Sequence, residues 1–297
     1  MYLLLMMMRK FVAFFFSGFN SSIRKTLLPF VVLVVGLTIS KTSIYAQSSE
    51  IGAWVGSSTY FGDLNTNFQW QYTRPAMGVL YRYNYHPYLH FRAGLSGGTV
   101  LHRDDASKNP FQEVRNLSFK THIIELAGLV DLHFMKYSVG RGGHYFTPYL
   151  TTGLSLFHFN PKAKFEGQWY ALQTLGTEGQ QQTDYTGRKP YKKIQPAIPL
   201  GGGFKYWLAG SWNFFAEGTY TKTFTDYIDD VSTSFVDNAL LGDGTITAEI
   251  ADRSDELGNS VGAEGKQRGD SITKDGFFMF KIGLTYTLYS NRCPQAK

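Results

Sequence analysis

Cysteine is almost missing from these 297 residues: Cys293 is the only one, so no disulfide can form within the chain. Catalytic and metal-binding signatures are missing too. The seven histidines (86, 90, 102, 122, 133, 144 and 158) show neither HExxH nor HxH spacing, no cysteine pair accompanies them, and no GxSxG elbow occurs. Gly201-Gly202-Gly203 lacks the following Lys-Ser/Thr of a phosphate loop. The acidic run around Asp226, Asp229 and Asp230 has oxygen ligands for Ca²⁺ but no EF-hand register.

An excess of positive charge is only superficially present. Arg24-Lys25 precede an apolar run, Thr26 to Ile39, and Ile44-Tyr45-Ala46 ends in a small residue before Gln47, the pattern of a cleaved export leader. The apolar run is too short to span a bilayer comfortably, and no cysteine follows it to mark a lipoprotein. A further stretch, Met1 to Asn20, is accounted for by a later start at Met8 or by a long leader. Residues 1–46 hold five of the 29 basic residues and none of the 23 acidic ones, leaving 24 against 23 in residues 47–297. That balance gives no support to nucleic-acid binding.

What is abundant is aromatic and small: 24 Phe, 19 Tyr and 31 Gly, a β composition. Gly276 to Tyr289 puts Phe278, Phe280, Ile282, Leu284, Tyr286 and Leu288 on one face. Phe277, Met279, Lys281, Gly283, Thr285 and Thr287 fall on the other. Comparable stretches are Glu50–Phe61, Pro75–Tyr85, Tyr88–Leu101, Leu117–Phe134, Phe146–Phe159, Pro196–Leu208 and Ser211–Phe224. Tight turns follow the second and sixth, and a moderate Gly-rich turn (Lys136–His144) follows the fourth. Longer connections follow the others, above all 160–195 and 225–275.

This pattern predicts an all-β fold, an eight-stranded antiparallel transmembrane β-barrel of outer-membrane type. Its long loops share one rim, and both termini lie on the other. The apolar row would face lipid. The opposite row collects Arg82, Arg92, Lys205 and Lys281 with Glu125, Asp131 and Glu217, which should pair with one another because an unpaired buried charge is costly. A barrel of eight strands has room only for its own side chains, so no pore is expected.

Several segments, taken in order along residues 47–297, resemble the PorG-type (DUF6089-like) outer-membrane barrel family of the type IX secretion system. They include YFGDLN (60–65), PAMGVLYRYN (75–84), RNLSFKTHIIEL (115–126), TPYLTTGLSLFHFNP (147–161), WYALQTLGTEGQ (169–180), IPLGGGFKYWL (198–208), TKTFTDYIDDVST (221–233) and ADRSDE (251–256). The resemblance implies a non-enzymatic, cofactor-free component in the outer membrane of a Gram-negative bacterium. It would touch a periplasmic ring made of a lipoprotein and its partner protein, in a system that exports proteins and supports gliding. Candidate partner contacts are Lys136, Arg141 and Cys293 on the short-turn side, with Trp169, Tyr170, Asp226, Asp229 and Asp230 in the long loops. Two alternatives stay open: a barrel hydrolase acting on lipid, for which His122 and His158 are candidates, and a general binding or porin-like barrel.

Overall fold

The computed structural model describes residues 48–65, 69–107, 109–137, 144–185, 187–258, 261–270 and 272–289. The proposed leader, Arg141 and Cys293 lie outside the described residues. Among the described residues there are ten strands: β1 (Ser48–Phe61), β2 (Arg74–His86), β3 (Leu89–Arg103), β4 (Ser118–His133), β5 (Phe146–His158), β6 (Lys162–Phe165), β7 (Gln168–Ala171), β8 (Ile194–Ala209), β9 (Trp212–Thr223) and β10 (Gly276–Tyr289).

Eight of them form a closed antiparallel barrel in the order β1-β2-β3-β4-β5-β8-β9-β10, with β10 paired back onto β1 from Ser48↔Tyr289 to Phe61↔Gly276. Closure leaves no unpaired sheet edge. The barrel strands run from 12 to 16 residues, longer than the ~9–11 tilted residues needed to cross a bilayer. Among the described residues no helix is long and apolar enough to cross a membrane.

Strict alternation decides which side chains face in. On β10, Phe280, Ile282, Leu284, Tyr286 and Leu288 are exposed, while Phe277, Met279, Lys281, Thr285 and Thr287 are buried. The outward row continues round the wall through Val55 (66% exposed), Met77, Leu126 and Leu200 (61% exposed). A soluble monomer does not carry so continuous an apolar belt; hydrocarbon is the solvent that suits it. Gly201 and Gly203 fall on the inner row of β8, where a Cβ would overlap the facing carbonyls of Gly218 and Ala216 on β9. The glycine run therefore lets two strands approach closely, and it is part of the wall.

The connections alternate as expected. Pro87-Tyr88 and Gly210-Ser211 make tight turns, each beside a register irregularity (Asn84/His86 and Trp207/Ala209) of the kind that bends strands at barrel rims. The long connections carry structure that the sequence patterning does not show. β6 and β7 form a hairpin inside 160–195, attached to β4 through Lys120↔Lys162. Short helices occur at Pro110–Arg115, Leu172–Leu175, Asn238–Leu241 and Ile246–Ala251.

Candidate functional site

Inside the barrel, the inward rows of seven strands deliver charges that join into one chain of alternating sign. Lys205 on β8 donates through Nζ to Glu50 Oε1. Glu50 Oε2 accepts from Arg82 Nη1 at 3.2 Å, and Arg82 Nε donates to Asp131 Oδ2 at 2.9 Å. Arg92 Nη2 lies 3.0 Å from Asp131 Oδ1 and 2.7 Å from Glu217 Oε2, and Lys281 Nζ donates to Glu217 Oε1 at 3.0 Å. Hydroxyls complete the set: Thr285 donates to Glu50 (2.9 Å), Thr151 to Asp131 (2.7 Å) and Tyr149 to Glu217 (2.9 Å). Glu125 is buried nearby and accepts from Thr221 at 3.3 Å.

All seven residues read from the sequence as interior charges are buried there. The one missed is Glu50. With it the barrel strands bring, among the described residues, four cations and four anions to the interior, a formal charge of zero. The signal was available: Glu50 shares its alternation face with Gly52, Trp54 and Gly56, and it sits directly across from Arg82 in the β1–β2 ladder. Between Trp54, Arg92, Glu125 and Lys281 the free space is about 20 Å³, enough for about one water. Towards the loop rim the filling becomes aromatic, with Tyr60, Phe119, Phe157, Phe159 and Phe277 packed in one cluster.

Above that cluster the long loops fold into a second buried polar layer. Arg268 donates to Glu178 Oε1 (3.0 Å) and to the Asp230 carbonyl (2.7 Å), and Arg115 makes a two-point contact with Asp104 (2.7 and 3.1 Å). Asp230 accepts from Tyr191 (2.6 Å) and Thr177, and Asp226 accepts from Ser232 (2.7 Å). The Tyr60 hydroxyl stands between Asp229 Oδ2 (2.6 Å) and Asp275 Oδ1 (2.7 Å). Burial raises the carboxyls of both Asp229 and Asp275, with neighbouring acids adding to it: Asp63 at Asp229, Asp229 at Asp275. Burial likewise pushes Asp230 up to about 6 and Asp63 up to about 7.

This corrects one expectation. Asp226, Asp229 and Asp230 are buried and hold the loops together, so they present no contact surface to a partner. Trp169 is half exposed, with Lys120 Nζ 5.5 Å from its ring centre. Tyr170 is half-buried against the core cluster. Lys136 is exposed just beyond β4, on the short-turn rim. Of the two histidines considered for hydrolysis, His122 is paired with Thr99 Oγ1 at 2.8 Å. Among the described residues no group of three or more His, Cys, Asp or Glu is arranged to hold a metal.

The chain matches, over residues 25–246, the family described as Domain of unknown function (DUF6089). It belongs to that family. Comparison with curated protein sequences finds no match. Among solved structures, the DUF6089 chain is similar to three small outer-membrane barrels. These are Ail of Yersinia pestis (9% identity, 82% of this chain and 100% of that one, TM-score 0.38), OprG of Pseudomonas aeruginosa (11%, 82% and 97%, 0.37) and the N-terminal barrel domain of Pseudomonas aeruginosa OprF (12%, 81% and 97%, 0.35). At such identity and superposition, the barrel assignment of this DUF6089 protein stands on its own strand pairing and outward apolar belt.

Proposed function

We propose that this DUF6089 protein is a non-enzymatic outer-membrane component of type IX protein secretion in a Gram-negative bacterium, fastening the periplasmic ring to the membrane. The observation that carries this reading is the filled interior. A tube closed by a neutral ion-pair chain below and an aromatic layer above has, among the described residues, no lumen to conduct solute and no cavity within its bore large enough to house a reaction. What remains to such a barrel is to be held in lipid and to hold something else. The order of motifs from residue 60 to residue 256 supports the secretion system as the setting. Its short-turn rim, with exposed Lys136, is the side assigned to the ring lipoprotein and its partner. Surface charge pairs are individually weak, so that contact would need several of them or an added apolar anchor.

Deletion of the gene is the test. The expected result is intracellular or periplasmic retention of cargo bearing type IX C-terminal signals, reversed by a plasmid copy. Normal export in the deletion strain would reject the proposal.

A further inference from the structure

We propose that a recess at the loop rim, between Phe61, Phe111 and Tyr220, binds a neutral saccharide. The recess has a volume of about 380 Å³, within the range of small-molecule sites. Four separate parts of the chain build it: the end of β1 with the turn after it (Phe61–Asn65), the helix Pro110–Arg115, Tyr220 on β9, and residues 267–270 with 273 and 274 before β10.

Its charges are already matched. Arg115 is bonded to Asp104, Arg268 to Glu178, and Lys274 lies 3.5 Å from Asp226. The Asp270 carboxylate accepts from the Ile272 N–H (3.0 Å) and the Thr273 hydroxyl (2.8 Å). A phosphate or carboxylate ligand would therefore have to break existing pairs, whereas an uncharged polyol would not.

Two features ask for such a polyol. Asn65 is buried; its Nδ2 donates to the Tyr60 carbonyl at 2.5 Å, and among the described residues its Oδ1 has no partner. A buried acceptor in that state is stabilised by any hydroxyl that can reach it. Asp63 accepts from the Asp270 N–H at 2.9 Å, and with burial pushing it up to about 7 it offers both protonation states to hydroxyls near neutrality.

The second feature is the set of rings. Phe61 and Tyr220 meet edge to face, with centroids 6.1 Å apart, and Phe111 is 42% exposed. Aromatic faces beside planar amide and carboxyl groups suit a pyranose, whose C–H side lies on a ring while its hydroxyls bond at the edge. The site lies where β1 and β9 leave the wall, at headgroup level for a barrel of this type. The sugar could thus be the head of an outer-leaflet glycolipid or a soluble glycan.

The test uses the full chain purified in an amine-oxide detergent, which has no sugar headgroup. Three probes are titrated calorimetrically: a neutral oligosaccharide (maltoheptaose), a neutral glycolipid (digalactosyl diacylglycerol dispersed in the same detergent), and inorganic phosphate. Saturable binding of a sugar probe is expected. Phe111→Ala and Gln267→Ala, both exposed and both lining the recess, should each weaken it by about tenfold, while Trp169→Ala leaves it unchanged. Heat-modifiable gel migration confirms that each variant is folded. Binding of both sugar probes identifies the glycan alone as sufficient; binding of the glycolipid only identifies a lipid-borne headgroup. The proposal is overturned if neither sugar probe saturates, if both variants bind like the parent, or if phosphate displaces the sugar.

Discussion

Glu50 sits between Lys205 and Arg82 with Thr285 as a third donor, on a strand otherwise lined inward by small residues, Trp54 and Tyr60. Taking it away leaves Lys205 without its carboxylate, and Arg82 with Asp131 alone, in a space that water scarcely enters. Breaking a buried pair by removing one partner costs about 3–5 kcal/mol, so Glu50→Ala should lower the urea midpoint of the barrel refolded into lipid vesicles by a corresponding amount. The double change with Lys205→Met should cost less than the two single changes added, because the second removes a charge the first left unpaired. Additive losses would mean that the pair is not coupled. At this scale the sequence was readable wherever alternation could be counted. Lys281 and Glu217, and Arg92 and Asp131, fell to the interior by period two alone. Glu50 escaped because the first strand is so rich in Gly and Ser that neither face looks apolar.

At the scale of the elements, the loop cap depends on protons as the barrel wall does not. A tyrosine has one O–H, so Tyr60 can donate to only one of Asp229 and Asp275. The contact with the other requires that carboxyl to carry a proton and donate to the phenolic oxygen. Asp63 and Arg115 act on Asp229 and Asp226 acts on Asp275, and burial raises Asp63, Asp226, Asp229, Asp230 and Asp275 alike. The sign follows from proton counting. A carboxyl raised in the folded state binds more protons there than in the unfolded chain, so its contribution is complete below its ordinary range and is lost as pH climbs through the raised value. For Asp230 that loss runs from the ordinary carboxylate range up to about 6 and for Asp63 up to about 7. Amide exchange in residues 225–275, corrected for its intrinsic pH dependence, should show protection falling between about pH 4 and pH 7 while β1 and β10 hold theirs. Flat protection across that window would show that the shared proton is not there.

The cap also marks where reading the sequence stops. The barrel strands were found to within about two residues because each repeats one local rule. The cap is assembled from Asp63 with Asp270, Glu178 with Arg268, and Tyr191 with Asp230, contacts between stretches with no periodicity in common. The cluster at 226–230 was visible as acidic; its burial was not, since burial comes from Tyr60, Thr177 and Tyr191 in three other segments. The β6–β7 hairpin has only four residues a side, too few for alternation to be recognised.

For the whole molecule, what matters is that the tube is solid. Reconstituted in a planar bilayer, the protein should give no steady conductance, because neutralised side chains and aromatic rings fill the bore. Sustained single-channel steps would overturn the sealed-interior reading and, with it, the main support for a purely structural role.

The β1–β10 seam joins the earliest described strand to the latest. Until residues 276–289 have been made, the edge of β1 that faces away from β2 has nothing to zip against, and the growing sheet keeps two raw edges. The wall can close only once β10 exists. Whatever holds the unfinished sheet before then has to keep both of those edges covered until they meet.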